Sequence, residues 1–188
     1  LLGMGRFVKF LGSLCIVLLV VACKETEEQR IAKHIKYWEN KEIVFPKDYS
    51  FTVYGKDTID FPWESAEHKI LVYVDSTGCI GCKMKLEVWE WFINDLDSIS
   101  KGSVPVGFFI HPEEKGDMQD LLKDKKFSYP VCLDLKDELW QLNKFQNHIM
   151  LQTFLLNKEN RVIAVGNPVH NLKIWELYME IIKSHLDK

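Results

Sequence analysis

One apolar run followed by a paired-cysteine motif constrains this chain most. Ile70-Leu71-Val72-Tyr73-Val74-Asp75 is β-rich and is cut off by the polar turn Ser76-Thr77-Gly78, after which comes Cys79-Ile80-Gly81-Cys82. A short apolar run bounded by turn residues reads as a buried strand. From Lys83 to Leu96 the pattern changes to a helical one. The two cysteines therefore fall at a strand-to-helix junction. Unpaired backbone N–H groups and the positive end of the helix dipole favour thiolate there, and thiolate is the reactive form of cysteine. The arrangement predicts redox chemistry rather than packing alone.

The rest of the chain extends the same alternation. Ile31, Ile35 and Trp38 recur at helical spacing within the charge-rich stretch from Lys24 to Glu42. Phe51–Tyr54 and Thr58–Phe61 flank Gly55-Lys56-Asp57 and read as a hairpin. Val104–Ile110 is a second buried strand, Glu113–Lys125 an inserted helix with Met118, Leu121 and Leu122 as its stripe, and Tyr129–Asp134 a short strand. Glu138–Asn143 reads as one or two helical turns. Thr153–Leu156 and Val162–Val165 flank Asn157-Lys158-Glu159-Asn160 as an antiparallel pair. A last helix from about Asn171 carries Trp175, Tyr178, Met179, Ile182 and Leu186 on one face. The predicted product is an α/β fold with a central mixed sheet flanked by helices on both faces. In the helix after the motif, Trp89 and Trp91 do not share one stripe. Their expected placement is in contact with two different core layers; the competing placement exposes one of them to a partner.

The first residues read as a targeting segment. Met4 reads as the initiator, Arg6 and Lys9 as a basic start, and Phe10–Val21 as an apolar run too short for a comfortable transmembrane helix. Val20-Val21-Ala22-Cys23, followed by the polar Lys24-Glu25-Thr26-Glu27-Glu28, resembles a bacterial lipobox. The resemblance implies cleavage before Cys23 and lipid on its sulfur. Residues 1–22 are then a signal peptide, 23–42 a tether or short helix, and 43–188 the folded domain. The acidic run after Cys23 resembles surface-export signals of Bacteroidetes lipoproteins. The expected location is the bacterial cell envelope, lipid-anchored and facing the periplasm or the outer surface, where disulfides persist. Of 24 basic residues, Arg6 and Lys9 leave with the signal peptide, so 22 face 27 acidic ones. That balance gives no support for nucleic-acid binding. No glycine-rich phosphate loop follows any strand, so no nucleotide site is expected.

The chain resembles the thioredoxin-like superfamily, from roughly Lys41 to Lys188, in the position of Cys79-Ile80-Gly81-Cys82 and in the late hairpin Thr153–Val162. The inserted helix and Tyr129-Pro130-Val131 resemble the branch of exported thiol–disulfide oxidoreductases and peroxiredoxins. The resemblance implies a three-layer fold with an N-terminal hairpin and an inserted helix. It also implies Cys79 as nucleophile, Cys82 as resolving thiol, no cofactor, and protein thiols or disulfides together with an envelope redox donor as partners. Three departures stand out. Gln152 occupies the position of the family's cis-proline beside Thr153 in the substrate groove; a cis bond before a non-proline residue costs about 3 kcal/mol, so a trans Leu151–Gln152 bond is expected. Gly78 stands where thioredoxins carry tryptophan. Tyr73 stands where a buried carboxylate often accepts a proton. Asp75, two residues later on the same strand face, substitutes only if it points inward.

Alternative readings remain beside this one. Loss of the proline and of the carboxylate fits a redox-inactive binding module. Cys79 and Cys82 with His111 or His170 fit a copper chaperone, although neither histidine has a spacing that compels a metal site, and no metal is assigned. A peroxidase is disfavoured, because the threonine–cysteine pattern around Thr77 is absent and the processed chain has only Arg30 and Arg161. Cys132, in an apolar strand, reads as a small hydrophobe rather than a third redox partner.

Overall fold

The computed structural model describes residues 26–77, 81, 84–146 and 149–186. The chain divides into two units, Leu1–Lys36 and Tyr37–Lys188. Helix α1, Glu27–Trp38, begins in the first. Its start is a reciprocal cap: the Gln29 N–H donates to Thr26 Oγ1 at 3.2 Å and the Thr26 N–H to Gln29 Oε1 at 3.0 Å. Of the expected stripe, Trp38 is buried, whereas Ile35 is exposed.

The second unit holds the sheet. Its elements are β1 (Thr52–Val53), β2 (Asp57–Thr58), β3 (His68–Val74), α2 (Leu86–Ser100), β4 (Val106–Ile110), α3 (Lys115–Asp124), β5 (Val131–Leu133), α4 (Glu138–Asn143), β6 (Thr153–Asn157), β7 (Val162–Val165) and α5 (Leu172–Leu186). The seven strands run in the order β2-β1-β5-β4-β3-β6-β7. β3, β4 and β5 are mutually parallel, and the flanking pairs are antiparallel. This is the predicted mixed sheet. The continuous apolar runs of β3 and β4 lie at its centre, where both faces are covered.

Period-2 alternation divides the core in two. Ile70, Val72, Val74, Val106, Phe108 and Ile110 meet Leu86, Trp89, Phe92 and Leu96 of α2, Met118 and Leu122 of α3, and Tyr178 and Ile182 of α5. The opposite face is aromatic. Phe109 lies 5.3–6.0 Å, centroid to centroid, from Phe45, Tyr49, Phe51 and Trp63, while Phe154 lies 5.2 Å from both Trp38 and Phe145. Gly107 makes room for this layer: a Cβ there would sit 2.5 Å from the Trp63 ring.

Several boundaries differ from expectation. The helix predicted over Lys83–Leu96 runs from Leu86 to Ser100, because Lys85 is left-handed (φ 43, ψ 51) and breaks the helical path ahead of it. The first hairpin is shorter than its apolar flanks. Its turn is centred on Tyr54 and Gly55, both at positive φ (53 and 67), with the Lys56 N–H donating to the Val53 carbonyl at 3.1 Å. The helix predicted over Glu113–Lys125 shortens to α3. Trp91 corrects the expectation that both tryptophans meet core layers: Trp89 is 1% exposed and Trp91 65%.

Candidate functional site

The carboxyl ends of β3, β4 and β5 and the start of β6 converge on one end of the sheet, the end at which open α/β sheets place their ligands. Cys79 and Cys82 lie outside the described residues, as does Cys23. The segments that flank the motif are described: β3 ends at Val74, Asp75 to Thr77 turn away from it, and α2 begins at Leu86.

Polar side chains gather at this end of the sheet. The Tyr73 hydroxyl donates to Asp137 Oδ1 at 2.6 Å, and its ring packs 5.1 Å from Phe145. Burial, the bond to Asp137 and the charges of Asp137, Asp75 and Asp134 all push the phenol's ionisation well above its ordinary range. Tyr73 is thus a neutral donor and no proton acceptor at physiological pH. Asp75 follows the last residue of β3. Its carboxylate accepts from the Thr77 N–H at 3.0 Å, from the Thr77 hydroxyl, and from Gln152 Nε2 at 3.0 Å. Asp134 is committed to the start of α4, accepting from the Glu138 and Leu139 N–H groups at 2.9 and 2.8 Å. His111 follows β4, with Nδ1 2.9 Å from the Asp134 carbonyl oxygen.

Gln152 and Thr153 open β6. Every peptide bond among the described residues is trans, Leu151–Gln152 included. Gln152 is 2% exposed, and its carbonyl accepts from the Tyr73 N–H at 2.9 Å. Thr153 is fully buried; its carbonyl accepts from the Gly166 N–H, while its hydroxyl has no hydrogen-bond partner among the described residues. A groove of about 300 Å³ lies beside Ser76 and Gly81, floored by Met118 and Leu121 and edged by Glu113, Glu114 and Asp117.

Cys132 sits apart in β5, 3% exposed. Burial, with a smaller contribution from Asp134, pushes its thiol up to about 12, against a Ser50 N–H that favours thiolate. It is an unreactive core side chain at neutral pH.

The Gln152–Asp75 bond and the Tyr73–Asp137 bond are the site contacts that sequence reasoning missed. The period-2 pattern places Tyr73 and Asp75 on one face. Their partners arrive from β6 and from the loop before α4, and no local spacing announces them.

The fold is matched among solved structures. The thioredoxin domain of a thiol-disulfide oxidoreductase from Bacteroides vulgatus superposes with a TM-score of 0.56 at 9% identity, covering 77% of this chain and 97% of that one. A putative protein disulfide isomerase from Bacteroides thetaiotaomicron gives 0.56 at 13% identity, covering 79% and 91%. A putative thiol:disulfide interchange protein from Chlorobium tepidum gives 0.51 at 15% identity, covering 75% and 96%. The chain matches no protein-family model and no curated protein. Its fold is thioredoxin-like.

Proposed function

We propose that this chain is a thiol–disulfide oxidoreductase of the bacterial envelope that works through Cys79 and Cys82. The observation that carries the reading is positional: the motif Cys79-Ile80-Gly81-Cys82 falls between the end of central strand β3 and the start of α2, on a thioredoxin-like scaffold. The structurally similar proteins from Bacteroides and Chlorobium, named for thiol–disulfide chemistry, support the same class.

The reaction proceeds in two exchanges. Cys79 thiolate attacks one sulfur of a substrate disulfide; a mixed disulfide forms and the other substrate sulfur leaves as thiolate. Cys82 thiolate then attacks the Cys79 sulfur, which closes the Cys79–Cys82 disulfide and releases the second substrate sulfur. Two electrons pass to the substrate, and a dithiol donor in the envelope restores the pair. Gln152 and Thr153, at the start of β6, hold the position that the resemblance assigns to the substrate groove, but both side chains are buried and neither lines the groove beside Ser76 and Gly81. Lipid on Cys23, after removal of residues 1–22, holds the protein to the membrane; the tether is then shorter than the expected 23–42, because Trp38 already packs on Phe145 and Phe154.

Insulin reduction with dithiothreitol as donor tests the activity: the wild type accelerates it and Cys79→Ser falls to background. Equal background rates for both reject the enzyme and favour a binding module, the reading favoured by Tyr73 and Gln152 in place of a carboxylate and a proline. For the anchor, Cys23→Ala moves the protein from the membrane fraction to the soluble one; retention in the membrane contradicts it.

A further inference from the structure

We infer that the cavity between the first hairpin and the β5–α4 loop binds a small hydroxylated organic anion, a sugar acid or a sugar phosphate. Its lining residues include none of the cysteine motif and neither Gln152 nor Asp75. The site and the dithiol reading therefore stand or fall separately.

The cavity holds about 370 Å³, at the lower end of the range for small-molecule sites. β1 and β5 pair at one position only, Thr52 with Val131. The cavity lies past that pair, with Ser50 on the β1 side and Cys132 and Leu133 on the β5 side. Tyr49 and Phe109, the register partner of Cys132, add aromatic surface. The wall is held from two directions. Gln119 Nε2 of α3 donates to the Gly55 carbonyl at 2.7 Å. Gly55 also lies so close to β5 that a Cβ there would sit 2.7 Å from Leu133 Cδ1. Lys115 stands one helical turn before Gln119 on the same face of α3, so the anchored turn carries Lys56 to that face.

Lys56, Lys115 and Lys136 line the cavity together with Asp48, Asp134 and Glu138. Half of these charges are committed within the chain. Lys136 pairs with Glu138 at 3.6 Å, and Asp134 accepts from the Glu138 and Leu139 N–H groups. Lys56, Lys115 and Asp48 have no ion pair or side-chain hydrogen bond among the described residues. Two uncommitted ammonium groups on adjoining elements suit an oxyanion. Asp48 accepts only, and the Ser50 and Thr58 hydroxyls, which also line the cavity, have no partner among the described residues. The body of the ligand therefore has to bring hydroxyl groups. A negatively charged polyol supplies both features, whereas a neutral sugar supplies one.

The test is calorimetric titration of the full chain, at physiological ionic strength so that diffuse charge attraction is screened. The probes are glucuronate and glucose 6-phosphate, with glucose as the neutral control. At least one anion binds at one site per chain, and glucose binds at least about tenfold more weakly. Binding of glucuronate alone identifies a carboxylate ligand; binding of glucose 6-phosphate alone identifies a phosphate ester. Lys56→Gln and Lys115→Gln each weaken the anion by about tenfold. Both lysines are exposed, so the fold is kept, and Lys173→Gln, at an exposed lysine of α5, leaves binding unchanged. At saturation the amide chemical shifts of Ser50, Cys132 and Leu133 move. The proposal is overturned if neither anion binds below about 10 mM, if glucose binds equally well, if both lysine substitutions leave affinity intact, or if the shift changes fall elsewhere.

Discussion

Lys69 carries its ammonium into the interior of β3, where it donates to the Trp63 carbonyl at 3.2 Å and lies 5.5 Å from the Trp63 ring. Burial is the main cause that holds its proton affinity below the ordinary lysine value of 10.5, against weaker support from Glu64 and Glu159. The sign follows from linkage. The unfolded chain binds the Lys69 proton more tightly than the folded one, so folding stability rises with pH between the lowered native value and 10.5. Lys69→Met removes that rise and stabilises the domain by about 1 kcal/mol at pH 7, since a buried charge gives way to an apolar chain of similar length. Urea unfolding of both proteins between pH 7 and pH 10 checks this. A stability difference that does not narrow as pH rises contradicts it.

At the scale of elements, the aromatic layer over β4 depends on the absence of one side chain. Trp63 lies against the backbone at Gly107, while Phe45, Phe51 and Phe109 surround its ring. Gly107→Ala forces that ring away and costs about 2–3 kcal/mol, by overpacking rather than by backbone strain. Denaturant titration measures it, and a cost below about 0.5 kcal/mol would show that the layer shifts freely. Sequence pattern located β3, β4, α4 and the β6–β7 hairpin closely, because each is a run whose period matches its burial. It placed the start of α2 too early. Composition between Lys83 and Leu86 is compatible with helix, and the left-handed backbone at Lys85 is not encoded by any glycine or proline. It also gave Trp91 a core role on hydrophobicity alone, whereas the face that α2 buries runs through Leu86, Trp89, Phe92, Ile93 and Leu96.

For the whole molecule, the thioredoxin-like architecture was legible because one strand–turn–cysteine junction and one late hairpin lie at the right places in an alternating α/β pattern. The polar arrangement at the end of β3 was only half legible. Residues Tyr73 and Asp75 announce themselves as polar groups at the end of an apolar strand. That Asp137 and Gln152 complete them depends on a loop and a strand distant in sequence, and only the register of β3 with β6 brings the latter into reach. In the proposed reaction Cys79 is the attacking thiol and Cys82 the one that resolves it. Trapping tests this most directly: Cys82→Ser, incubated with a disulfide-bonded protein substrate and analysed by mass spectrometry, accumulates a mixed disulfide at Cys79, whereas Cys79→Ser accumulates none at Cys82. Absence of any adduct at Cys79, or equal trapping at both positions, would contradict the assignment.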